Sequence, residues 1–115
     1  MSRAQIPVLR LTVPRAAVAI AENLFATPDG ALPAAGGWAA GPALYNAAAG
    51  ETFAVTAIGQ CQGVASGAIA KHAKIMVTAA GKIAAHAGNA VCVGRALDAA
   101  AADGDVIDIL VNTIQ

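Results

Sequence analysis

Apolar and polar residues alternate along several short stretches in the second half of the chain. In DVIDILV, residues 105–111, three apolar residues fall on one face: Ile107, Ile109 and Val111. Segments 51–58 and 74–79 alternate in the same way. A period of two residues is typical of a half-buried β-strand. Several such strands separated by turn residues predict an all-β fold, either a sandwich or a small barrel.

Glycine marks most of the boundaries between these strands. Ala80-Gly81 lies between two apolar runs and predicts a hairpin. Gly59 and Gly63 flank a short QCQ segment, so the strand that begins at residue 51 is predicted to end at residue 58. Residues 68–73 are compatible with a single helical turn at most. Alanine favours helices, but glycine recurs too often here for longer ones.

The N-terminal segment also alternates, and it predicts an extended arm over residues 1–14 followed by a single β domain over residues 15–115. Leu9, Leu11 and Val13 fall on one face of this arm, with Arg10 on the other. Prolines at positions 7 and 14 bracket it. This pattern suits either an edge strand or a strand that leaves the body and pairs elsewhere.

Two groups of apolar residues are candidates for contacts between subunits. Trp38 and Tyr45 lie in a loop-rich segment, residues 28–50, where they would either close the end of a barrel or supply contact area at an interface. The outward face of the last strand carries Val106, Asp108 and Leu110. This face is too apolar for open solvent, so it predicts a second sheet or a subunit contact.

Composition favours self-association and argues against nucleic acid as a partner. Apolar residues make up 57% of the chain, but the large ones are few and much of the total is alanine. A core of this kind gives marginal stability to a monomer, and oligomerisation commonly compensates for that. Seven basic and seven acidic residues cancel, whereas a nucleic-acid-binding domain carries a basic surplus.

The residues do not predict a reaction centre, a metal site or a cofactor. Cys61 and Cys92 lie in apolar runs and are interpreted as buried free thiols. A Cys–His dyad with His72 or His86 stays open as the sole route to an enzyme. Neither histidine forms a close ligand pair of the kind that zinc requires. We also find no secretory signal and no membrane span, and we expect synthesis in a reducing cytoplasm.

Four segments rich in small residues carry a resemblance to the capsid cement, or head-decoration, proteins of tailed bacteriophages. They are AAAGE at 47–51, a glycine-bounded segment ending in AIA at 59–70, AAGK at 79–82, and the run from 93 to 105 that ends in DGD. The resemblance covers about the last two thirds of the chain. It implies a small β-barrel or tulip-like fold on the outer surface of the phage head.

The resemblance further implies that the major capsid protein is the partner and that the chain forms a homotrimer, with a dimer as the alternative. The arm would then dock on the capsid lattice, and its pattern makes these residues the docking hypothesis: Arg3, Leu9, Arg10, Leu11 and Val13. Trp38, Tyr45, Val106, Asp108 and Leu110 form the hypothesis for the oligomer interface. Two alternatives remain open: another virion component, such as a head fibre base or tail-tube protein, and a module that binds surface carbohydrate.

Overall fold

The computed structural model describes residues 6–113, and over these residues the fold is all-β, as predicted. The strands, in chain order, are β1 (Ile6–Val13), β2 (Phe25–Ala26), β3 (Gly41–Pro42), β4 (Phe53–Val64), β5 (Lys74–Val77), β6 (Ile83–Ala85), β7 (Gly94–Ala96) and β8 (Val106–Asn112). Six form an antiparallel sheet in the order β1-β4-β8-β7-β5-β6, and β2 pairs with β3 separately. The described residues contain no helix. Ile69 in the 68–73 segment instead forms a bridge with Ala100.

Strand β4 is longer than the sequence predicts, because its glycines lie inside the strand rather than ending it. It runs for 12 residues and pairs with β1 along one part and β8 along another. A Cβ atom at Gly63 would lie only 3.0 Å from Cδ1 of Ile83 and 3.1 Å from Cδ1 of Ile109. This glycine therefore lets the core approach the backbone closely. Gly59, with φ at 139°, adopts a conformation that favours glycine.

Other predictions for the second half are confirmed. The hairpin at Ala80-Gly81 joins β5 to β6, and β8 buries Ile107, Ile109 and Val111 while it exposes Val106 and Leu110. The apolar run at 90–97 forms a strand only at Gly94–Ala96, which is shorter than predicted. In the first half, residues 14–52 consist mainly of turns and isolated bridges.

The same pattern of backbone contacts occurs twice along the chain, in residues 14–57 and in residues 63–111. We call these the first unit and the second unit. Matching hydrogen-bonded pairs, first unit then second, are Ile20–Ala47 and Ile69–Ala100, Asn23–Ala43 and His72–Ala96, and Ala16–Glu51 and Ala65–Asp105. Asn23 and His72 both adopt a φ of 71°. Few residues other than glycine adopt this conformation, so its recurrence at matching positions supports the repeat.

Each unit has its own core, and the two cores use matching positions. The first cluster contains Ala16, Ile20, Ala26, Ala40, Ala43, Ala47, Phe53 and Val55, and the second contains their counterparts Ala65, Ile69, Ile75, Val93, Ala96, Ala100, Ile107 and Ile109. Ala26 and Ala40 stand where the second unit has the larger Ile75 and Val93. At these two positions the first unit has the smaller side chains.

Several contacts join the two units and the end of the chain, among them two backbone hydrogen bonds of Gly36, to Val77 and Val91. Phe25, on β2 of the first unit, is 0% exposed and packs within the core of the second unit. Its N–H donates a hydrogen bond of 2.8 Å to the carbonyl of Gly81 at the β5–β6 turn. Beyond the second unit, the Thr113 hydroxyl donates to the carbonyl of Ala40 at 2.6 Å. The end of the chain is thus tied back to the first unit.

Candidate interaction surfaces

Strand β1 forms one of the two edges of the sheet. This strand pairs with β4 on one side, and no described strand pairs with its other side. Alternate N–H and C=O groups of an edge strand point away from the sheet and can pair with another chain. The register between β1 and β4 shifts on both sides of Leu9, and such a bulge bends the edge locally.

The five residues of the docking hypothesis do not form one exposed set. Leu9 is 38% exposed and Arg10 is also exposed, so both are available to a partner. Leu11 is partly buried against the core of the first unit. Val13 is only 2% exposed and belongs to that core, so it is covered by its own chain. Arg3 lies outside the described residues.

The outward face of β8 presents apolar surface, as its alternation predicts. Val106 is 52% exposed and Leu110 is 50% exposed. Asp108, between them, differs from the prediction, because it is only 9% exposed and lies opposite Gln62 of β4. Asp108 is therefore largely covered by its own chain and offers little to a partner.

Sheet pairing brings two cations beside Leu110. Arg95 of β7 lies opposite Leu110, and Lys74 of β5 lies opposite Arg95. Directly paired residues share a face of the sheet, and all three are exposed. We call Lys74, Arg95 and Leu110 the end row. The sequence analysis did not single out the two cations, because the strand order that aligns them is not visible along the chain.

The two exposed aromatic residues have different surroundings. Trp38 is 44% exposed, and its indole N–H donates a 2.8 Å hydrogen bond to the carbonyl of Thr113. It therefore holds the end of β8 while it leaves ring surface exposed. Tyr45 is 47% exposed, in the turn after β3.

Cys61 is poorly suited to nucleophilic chemistry. Burial, and to a lesser degree the negative charge of Asp108, raises the pKa of the Cys61 thiol to about 12. The thiolate is the reactive form of cysteine, so Cys61 stays unreactive at neutral pH. The Cys92 thiol lies 3.4 Å from the Gly94 carbonyl, and the His86 ring lies 2.7 Å from the Ala90 carbonyl.

The described residues contain no group of three or more His, Cys, Asp or Glu side chains placed to hold a metal ion. Over the same part of the chain, no helix has the length and apolar character to cross a membrane. A shallow cleft of about 610 Å³ lies between the loops of the first unit. Its polar groups are engaged: Asn46 accepts from the Glu22 N–H at 2.7 Å, and Glu51 accepts from the Ala48 N–H at 2.6 Å.

Comparison with known proteins identifies the family of the chain. A family model described as phage cement protein matches residues 5–112, nearly the whole chain. The chain belongs to the phage cement protein family. It is therefore a structural protein of the phage particle, located at the capsid, and the identification made from the small-residue segments is confirmed.

A solved structure shares the fold of this cement protein. The N base of the head fibre gp8.5 of bacteriophage phi29 superposes with a TM-score of 0.73 and 16% sequence identity, covering 91% of this chain and 94% of that chain. At that identity the likeness establishes the fold alone. No curated protein matches the chain.

Proposed function

We propose that the protein binds the outer surface of the assembled capsid as a homotrimer and reinforces contacts between major capsid protein subunits. Family membership over residues 5–112 carries this proposal. In this role the protein performs no chemistry, and its side chains act by packing and hydrogen bonding.

The edge of β1 is the surface best suited to the capsid. It combines unpaired backbone groups with the exposed Leu9 and Arg10 at the bulge. An added strand from the capsid would gain main-chain hydrogen bonds along this edge, while the two side chains would set register and orientation. Many copies, each bound weakly at such an edge, reinforce a shell without any single strong site.

The structural neighbour favours a second candidate within the same class. Because the chain shares its fold with the base of a head fibre, it could serve as the capsid-attached base on which a fibre stands. This role also requires capsid binding, but it adds a second protein partner. Pull-down of virion proteins by capsid-bound copies separates the two: a base retains a fibre protein, whereas a cement protein retains only the shell.

Co-sedimentation with capsid shells that lack the protein tests the main proposal. We expect saturable binding to mature, expanded shells, with immature shells as the control that should bind none. The double variant Leu9→Asp/Arg10→Glu should bind at least about tenfold more weakly, the scale of losing interface anchors. Val18→Asp, at a residue that is 45% exposed and outside β1, is a control for an added carboxylate elsewhere on the surface. Absence of binding to either shell would overturn the proposal.

A further inference from the structure

The repeat allows each exposed position of the second unit to be compared with its counterpart in the first. The counterparts of the end row residues Lys74, Arg95 and Leu110 are Phe25, Pro42 and Thr56. Phe25 and Thr56 are both 0% exposed, and Pro42 is buried as well. The same row is therefore covered in one unit and open in the other.

The second unit and the residues directly after it cover part of this row in the first unit. Phe25 packs among second-unit residues and bonds to Gly81 of the β5–β6 turn. Thr113, directly after the second unit, bonds through its N–H and hydroxyl to the carbonyl of Ala57, next to Thr56. Within one chain, then, the units stack head to tail, and the second unit ends the stack with its row exposed.

We propose that the end row binds the first unit of a second copy of this chain, so that the protein assembles head to tail. This inference rests on the proposed function for its biological setting. It adds which surface of one copy contacts which surface of the next. The contact joins two different surfaces of the chain. Such a heterologous contact closes into a ring when the rotation between copies allows it. A ring of three copies would then contain six units arranged around one axis.

The distribution of charge favours a second copy of this chain as the partner that binds the end row. The end row carries Lys74 and Arg95, both exposed. In the first unit the exposed acids are Glu22, Asp29 and Glu51, whereas Arg15 is the one basic residue of that unit. The acidic first unit thus complements the cationic end row, with Leu110 as an apolar contact beside the charges.

Sedimentation velocity of the full chain, without any capsid, tests the assembly. The wild-type protein should sediment as an oligomer, and Leu110→Glu should shift it to monomer with an unchanged circular dichroism spectrum. The control Ala102→Glu adds the same charge at an exposed turn of the second unit and should leave the oligomer intact. A wild-type monomer, or an oligomer that survives Leu110→Glu, would overturn the proposal. Because no shell is present, neither result bears on capsid binding, which co-sedimentation tests separately; a wild-type monomer would contradict only the homotrimeric state in the proposed function.

A charge exchange tests the head-to-tail polarity. Variant one is Lys74→Glu/Arg95→Glu, and variant two is Glu22→Lys/Asp29→Lys. Neither should self-associate, because in each variant the end row and the first unit now carry charges of the same sign. Mixed together they should form a complex, since the reversed end row of one meets the reversed first unit of the other. Glu51 is left unchanged because it bonds to Ala48. If the mixture stays monomeric while both variants are folded, the assignment of the first unit as the partner surface is wrong.

Discussion

Replacement of Phe25 by alanine tests whether the two units depend on each other. Complete burial of an aromatic side chain removes about 150–250 Å² of surface, which at about 25 cal/mol per Å² corresponds to about 4–6 kcal/mol. Measured Phe→Ala losses in cores are about 3–5 kcal/mol. For a chain of 115 residues, a stability of about 0.05–0.15 kcal/mol per residue gives about 6–17 kcal/mol in total. The substitution should therefore remove a large fraction of the stability.

The assays are urea and thermal unfolding at one fixed protein concentration, with hydrogen exchange as a local probe. At about 4 °C per kcal/mol, Phe25→Ala should lower Tm by about 12–20 °C. Exchange protection should fall in β5, because Phe25 packs in the core that contains Ile75. Val18→Ala, at a residue that is 45% exposed, should change stability by less than about 0.5 kcal/mol. A loss for Phe25→Ala of under about 1 kcal/mol would refute the dependence of one unit on the other.

Three further predictions concern single positions. Gly94→Ala should lower the free energy of chemical unfolding by about 3 kcal/mol, because φ is 158° and the new Cβ would lie 2.1 Å from the Leu110 carbonyl oxygen. Gly50→Ala is the control: φ is 90° but nothing lies within 4 Å, so the loss should be only about 1 kcal/mol. Thr56→Val should raise the free energy of unfolding by about 1 kcal/mol, because the buried Thr56 hydroxyl makes no hydrogen bond within residues 6–113. The urea midpoint should rise accordingly, and a lower midpoint would contradict the prediction. Folding raises the pKa of Cys61 from 9.0 to about 12. Between these two values the unfolded chain loses the thiol proton and the folded chain keeps it. The free energy of unfolding should therefore be unaffected below pH 9 and fall by up to about 1.4 kcal/mol per pH unit towards pH 12. In urea unfolding at several pH values, Cys61→Ala should flatten this dependence of stability on pH, whereas Cys92→Ala should not. Equal slopes in both variants would show that Cys61 is not its cause.

Alternation predicted the strands whose two faces differ. It located β5 and β8 and the buried residues of β8, because one face of each packs on the core while the other meets solvent. It failed for β4, where Gly59 and Gly63 looked like turn residues. In the structure, Gly63 is required by the close approach of Ile83 and Ile109, a packing constraint that composition does not reveal.

The repeat was not recognised in the sequence although some matching positions are identical, such as Ile20 and Ile69, because most of the identical pairs are alanines. Other matching positions differ in residue type: Asn23 matches His72 through φ and a backbone hydrogen bond, and Ala26 matches Ile75 through burial and strand pairing. Glycine and alanine are also so common here that their recurrence carries little information. The end row was missed for a related reason, since it depends on strand order in the sheet.

The two proposed contacts use different parts of the sheet, and this separation has a measurable consequence. β1 forms one edge of the sheet, whereas Lys74 and Arg95 lie on β5 and β7 near the other. A partner on β1 and a second copy on the end row can therefore be bound at once. Distant sites add independently, so Leu9→Asp should weaken binding of a single copy to shells without altering sedimentation of the free protein. Leu110→Glu should abolish self-association and weaken shell binding only through lost avidity. If Leu9→Asp also dissociates the free oligomer, the β1 edge takes part in self-association, and the division between a capsid surface and an assembly surface fails.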